Sequence, residues 1–219
     1  MKLSDFKDLI NELPFKNQSF DIKKANWKSE NQTEIIERIF GEDQIITLNR
    51  FDLFNSGWNF HEFVIKTLMW GYPTKGRGHN IDVLLKEENF NKLIETLNLY
   101  IETDVTLDRL ESDIKQIDGL GLSTMTKFLH FLNIKIDNNT AVILDLQIID
   151  AINLGRFEEF NFLKGIRYNN AIKKYGEFLY LINDLSKQLM VKPDQIEMFL
   201  FIFGKSLSEL KGEECYDYD

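Results

Sequence analysis

Apolar residues recur along this chain mostly at helical spacing, as in Ile35, Ile36, Ile39 and Phe40, or Phe178, Leu179, Ile182, Leu185 and Leu189. Only three prolines (Pro14, Pro73, Pro193) and twelve glycines interrupt that period, so the pattern predicts a mainly α fold. It places helices over residues 3–13, 33–40, 59–69, 81–86, 89–99 and 107–116, then one ending near 132. A further helix opens at or just after Asp145, a long one runs from about Tyr168 to Met190, and Pro193-Asp194 starts a last apolar helix over residues 196–203. Residues 15–27 mix polar and aromatic positions without an assignable period, residues 44–48 have strand character, and residues 137–140 read as a turn. No repeat or linker stands out. The expected organisation is an N-terminal segment, 1–58, packed on a helical body, 59–204, with an acidic tail, 205–219.

Two breaks in the helical pattern are candidates for chemistry. The loop from Trp70 to His79 holds three glycines and a proline, a composition that often carries function on a helical scaffold. Gly119 and Gly121 fall between two amphipathic runs, Leu107, Leu110, Ile114, Ile117 and then Leu122, Met125, Leu129, Leu132. They read as a tight turn between helices. Such a turn aims backbone N–H groups and a helix N-terminus at an anion, and Ser123 and Thr124 suit the first turn of that helix.

Composition narrows the class. Hydrophobic content of 43% and charged content of 28% describe a globular chain, and no apolar run nears the length needed to span a bilayer. The start, Met-Lys-Leu-Ser-Asp, lacks the apolar core of a secretory signal, and the single Cys215 cannot form an internal disulfide, so a soluble cytoplasmic protein is expected. One cysteine also excludes a four-thiolate iron–sulfur cluster. His61 and His130 show no metal-ligand spacing, and neither cofactor nor metal is expected. The net charge of −9 disfavours nucleic acid at long range. Three windows nevertheless lack acids, residues 66–81, 119–136 and 164–176, and would form a basic cleft if they faced one another.

The order of motifs resembles the helix-hairpin-helix superfamily of DNA glycosylases, in which a Gly-x-Gly hairpin precedes a catalytic aspartate. The matching pieces are Gly119-Leu-Gly-Leu-Ser-Thr124 and Val142-Ile-Leu-Asp145. Closest in look are bacterial proteins related to 8-oxoguanine glycosylases, through Trp70-Gly71, Gly76-Arg77, Thr126-Lys-Phe-Leu129, Ile143-Leu-Asp145 and Glu197-Met-Phe-Leu200. This likeness covers roughly residues 60–204. It implies a helix-hairpin-helix glycosylase-like fold, double-stranded DNA as partner, no membrane, and a monomer that removes a damaged or modified base, with an 8-oxoguanine-like purine favoured. Bifunctional members carry a lysine where this chain has Ser123.

Cleavage of an N-glycosidic bond passes through an oxocarbenium-like sugar, which a carboxylate stabilises, and Asp145 fits that role. Its plainer reading is a helix N-cap. Lys127 lies one turn after Ser123, about 5.4 Å along the helix, and helical side chains lean toward the N-terminus. Its amine could therefore serve as the Schiff-base nucleophile of an AP-lyase step, contact phosphate, pair with Asp145, or snorkel at the surface. Trp70 and Tyr72 are base-pocket or wedge candidates, with core packing the alternative for any one ring. Lys75, Arg77 and His79 are candidate DNA contacts beside Gly119, Gly121, Ser123 and Thr124. Asp150 reads as solvent-exposed. Two other readings stay open: a binding protein that kept the hairpin without the chemistry, and a defence protein acting on modified invading DNA.

Overall fold

The computed structural model describes residues 1–55, 59–76, 78–167 and 169–208. Arg77, Tyr168, Cys215 and most of the acidic tail lie outside these residues. The fold is mainly helical, as the periodicity predicts. Short 3-10 turns at Leu3–Phe6, Phe15–Asn17, Lys24–Trp27 and Glu158–Leu163 connect the longer elements.

In chain order the elements are α1 (Lys7–Glu12), β1 (Ser19–Lys23), α2 (Thr33–Phe40), β2 (Ile45–Asn49), α3 (Arg50–Phe54) and α4 (Phe60–Gly71). They continue with α5 (Asn80–Leu84), α6 (Glu87–Glu102), α7 (Leu107–Gln116) and α8 (Leu122–Phe131). A small hairpin of β3 (Lys135–Ile136) and β4 (Asn139–Thr140) leads to α9 (Leu146–Leu154), α10 (Ala171–Leu189) and α11 (Pro193–Phe203).

The expected strand near residues 44–48 is β2, and its partner is β1, inside the stretch whose period could not be read. They pair antiparallel, with Phe20 opposite Leu48 and Ile22 opposite Ile46. Ile22 and Leu48 are buried, and the ribbon lies against α4. The turn expected at 137–140 joins β3 to β4 through Asp137 and Asn138, both at positive φ (47° and 66°), the backbone twist that a two-residue hairpin needs.

At the centre is α8, with every residue from Thr124 to Phe131 buried. One face meets α4, while α9, α10 and α11 pack together and α7 lies on α10. A helix covered on all sides has to satisfy its own polar groups. Tyr72 does this for Thr124 and the Leu144 N–H for Thr126, while Lys127 is satisfied within the helix, by Ser123. Among the described residues no helix is long and apolar enough to cross a membrane.

Candidate active-site cleft

The approach to Asp145 is pinned from two sides. Residues Ala141, Val142, Ile143 and Leu144 run extended and are at most 1% exposed, so their backbone polar groups need partners in the interior. The Tyr175 hydroxyl donates to Val142 O at 2.8 Å, and Asn183 clasps Thr140 by accepting from its N–H at 3.1 Å and donating to its carbonyl at 3.0 Å. From α8, Thr126 Oγ1 accepts the Leu144 N–H at 3.2 Å. Asp145 follows in extended backbone and caps α9, its carboxylate accepting from Ile148 N–H at 3.2 Å. One such hydrogen bond uses one oxygen, so capping leaves acceptor capacity toward solvent. The two readings of Asp145 are compatible.

Lys127 is not at the surface. It is 4% exposed, and its Nζ donates to the Ser123 carbonyl at 2.9 Å and to Ser123 Oγ at 3.1 Å. The backward lean along the helix thus brings the amine to the Ser123 position, and the snorkelling alternative gives way to a satisfied buried one. Lys127 and Asp145 are not ion-paired. Above the amine lies the ring of Tyr72, with its centroid 5.2 Å from Nζ, and the Tyr72 hydroxyl is 2.7 Å from Thr124 Oγ1.

Ser123 and Tyr72 open onto a cleft of about 880 Å³. Its walls are largely aliphatic, from Ile114, Leu120, Leu144, Ile149, Ile166 and Ile172, with Leu146 on its rim, 69% exposed. Asp145 stands between two lining residues, Leu144 and Leu146. Lining residues also come from the first turns of α8 (Leu122, Ser123), α9 (Leu146, Ile149) and α10 (Ala171, Ile172). Three helix N-termini therefore meet at one cleft, each carrying about half a positive charge on its unsatisfied N–H groups. The three acid-poor windows all contribute lining residues: Tyr72 from the first, Gly121 to Ser123 from the second, and Ile166, Arg167, Ala171 and Ile172 from the third. The side chains themselves balance, because Lys115 pairs with Glu111 and Lys205 reaches Asp150 at 3.2 Å. Positive potential in the cleft comes from backbone and from Arg167, whose guanidinium makes no ion pair among the described residues.

Other candidates are placed differently. Trp70 is 4% exposed and lies in the core, edge-on to Phe20 and Phe131, with its indole N–H donating to Gln18 O at 3.3 Å, so this ring does not line the cleft. Lys75 is held by Asp82 at 2.5 Å and by the Lys28 carbonyl at 2.6 Å, and His79 is exposed beside Asp82 at 3.7 Å. Neither lines the cleft, and Arg77 lies outside the described residues. Thr124 is buried with its hydroxyl taken by Tyr72. Gly119 has φ +83° and packs so tightly that a Cβ would fall 2.4 Å from Asn80 O, whereas Gly121 caps α8 in ordinary extended backbone. Asp150 lines the cleft instead of facing only solvent.

One pair escaped sequence reasoning. Arg50 and Glu197, 1% and 0% exposed, form a two-pronged contact, Nη1 to Oε2 at 2.6 Å and Nη2 to Oε1 at 3.1 Å. The guanidinium also donates to Gln18 Oε1 at 2.8 Å and lies over Trp70, 5.2 Å from its centroid. Burial pushes the Glu197 carboxyl upward from its ordinary range against the pull of Arg50, with the charges of Asp145 and Asp194 adding to the push. This ion pair therefore sits within electrostatic reach of Asp145. A lone Glu in the apolar run from Ile196 to Phe203 was the readable signal.

No curated protein and no solved structure matches the chain. A family model described as "Putative 8-oxoguanine DNA glycosylase OGG-like protein" matches residues 14–201. The match takes in β1, Arg50 and every residue that lines the cleft, and reaches upstream of the residues that the motif likeness covers. The chain belongs to this OGG-like family.

Proposed function

We propose that the protein is a DNA glycosylase that cleaves the N-glycosidic bond of a damaged or modified base, an 8-oxoguanine-like purine foremost, in double-stranded DNA. The observation that supports this most is the meeting of three helix N-termini at an aliphatic cleft, with Asp145 in the chain between the lining residues Leu144 and Leu146. Helix N-termini hold the phosphates on either side of the target, the Gly119 turn serving as the hairpin anchor. The extruded base enters the cleft, with apolar walls and the Tyr72 ring replacing its lost stacking. As the C1′–N bond breaks, positive charge grows on the sugar and the Asp145 carboxylate stabilises it. The departing base takes the bonding electrons and a proton, and water or an amine then bonds to C1′. Lys127 is the amine available for the second course, an AP-lyase step through a Schiff base.

Duplexes carrying single modified bases test this reading. Wild type is expected to release one of them, an oxidised purine first, and Asp145→Asn to bind that duplex without releasing the base. Unchanged turnover by Asp145→Asn removes the aspartate from the mechanism. Borohydride trapping on the same duplex reports the amine: an adduct lost in Lys127→Met assigns the lyase step, and excision without any adduct makes the enzyme monofunctional.

A binding-only protein is the second reading, favoured by the Lys127 amine being fully engaged inside the fold. Salt-sensitive duplex binding with no base release across the panel selects it.

A further inference from the structure

We propose that Tyr72 is a shutter over Lys127, a positioning residue that has to leave its bond with Thr124 before the amine can meet any substrate. The use of the exposed amine rests on the glycosylase reading, while the closed state rests on geometry alone.

Lys127 is enclosed on three sides. Behind its stem is Gly71, where a Cβ would lie 2.7 Å from Lys127 Cδ and 2.9 Å from Cε, so α4 leaves room for a lysine only because residue 71 has no side chain. In front, the Ser123 carbonyl and hydroxyl hold Nζ at 2.9 and 3.1 Å. The third side is the Tyr72 ring, at 5.2 Å, within cation–π range. Tyr72 lines the cleft, so its ring divides the amine from the space in which a base would sit.

The ring is also placed to move. Tyr72 is the residue after α4, its N–H still bonded to Leu68 O at 2.9 Å, and the chain beyond it turns through Lys75, Gly76 and Gly78, all at positive φ. A Cβ on Gly76 would be 3.5 Å from Tyr72 Cδ1, so this glycine packs against the ring. A rigid helix end on one side and a glycine-rich segment on the other make a hinge at residue 72. What holds the shutter closed is one hydroxyl–hydroxyl bond, 2.7 Å to Thr124, together with the attraction of the ring for the amine. Both are weak enough for an entering base, which offers its own π face, to displace them.

The amine's accessibility can be read directly by brief reductive methylation with formaldehyde and cyanoborohydride, followed by peptide mass spectrometry with the other lysines as internal reference. In the free wild-type protein Lys127 is expected to be among the slowest lysines to react. Tyr72→Phe keeps the ring but loses the Thr124 bond, and should speed Lys127 alone by about threefold to tenfold, the population shift that one hydrogen bond commands. Tyr72→Ala should speed it further. Labelling of wild-type Lys127 at the rate of the exposed lysines, or an unchanged rate in Tyr72→Phe at unchanged melting temperature, overturns the shutter. The two readings fail separately. A wild type that releases no base but shows this labelling pattern loses the glycosylase and keeps the shutter, and base release with freely labelled Lys127 does the reverse.

Discussion

Gly71 and Lys127 share one packing volume, since a Cβ on residue 71 would stand 2.7 Å from Lys127 Cδ. The intruding atom would meet the flexible part of a side chain, so Gly71→Ala should displace the lysine and leave the fold intact. The helix gains roughly 1 kcal/mol from alanine and loses a similar amount from the Ser123 bonds, and urea unfolding should give a stability within about 1 kcal/mol of wild type. Borohydride trapping should fall by an order of magnitude or more, about the cost of a displaced reacting group. Full trapping by this variant would show that the Ser123 position of the amine is irrelevant to reactivity.

The Arg50–Glu197 pair predicts strong non-additivity. Removing either charge leaves the other buried and unpaired, so Arg50→Met and Glu197→Leu should each cost about 3–5 kcal/mol in denaturant unfolding. The double variant should recover most of that loss, because two apolar side chains suit an apolar site. Costs that simply add would mean that the two side chains act independently.

Acid should weaken the fold through His130. Burial, aided by the charge of Arg50, holds this imidazole down at about 4, against Asp194 at 3.5 Å and the Ala141 carbonyl. In the unfolded chain a histidine titrates near pH 6.5. Between those values the unfolded state binds a proton that the native state refuses, so stability falls as pH drops from about 6.5 to 4, by up to roughly 3 kcal/mol. Above that window His130 contributes no slope. Unfolding measured across pH 4–7 should show the decline in wild type and a flatter profile in His130→Leu; identical profiles would place the acid sensitivity elsewhere.

Arg167 and Lys75 should separate in DNA binding. Arg167 lines the cleft, and Arg167→Ala is expected to weaken duplex binding about tenfold at low salt and to lower the log–log salt slope by about 1. Lys75 is already committed to Asp82 and Lys28 away from the cleft. Lys75→Ala should change affinity by less than about twofold, since a neutralised cation releases few counterions. The opposite ranking would move the DNA path to the Lys28–His79 face.

What could be read from sequence follows from the range of the interactions involved. The turn at Gly119 and the Asp145 cap were legible because both are local, a glycine between two apolar periods and an aspartate just before one. β1 was not. It offers only Phe20 and Ile22 as an inward pair, and its partners lie 22 to 30 residues on, from Lys23 opposite Ile45 to Ser19 opposite Asn49. The burial of Lys127 was hidden for a related reason. Periodicity marks the apolar face of α8, but the face carrying the lysine is covered by Gly71 and Tyr72, from an element far upstream. Trp70 and Tyr72 looked alike in sequence, yet Trp70 points from the last turn of α4 into the core, while Tyr72, just past that turn, points to α8.

The Arg50–Glu197 contact spans 147 residues, and the nearby Gln195 side chain reaches back 184 residues to the Asn11 carbonyl. During synthesis, then, Arg50 emerges long before its counter-charge exists and must stay hydrated, which keeps β2, α3 and the Trp70 face of α4 from closing on it. The middle helices can collapse as they appear, because their contacts lie closer in sequence. The layer around Arg50 is locked only when α11 arrives, so commitment to the native state waits for that helix.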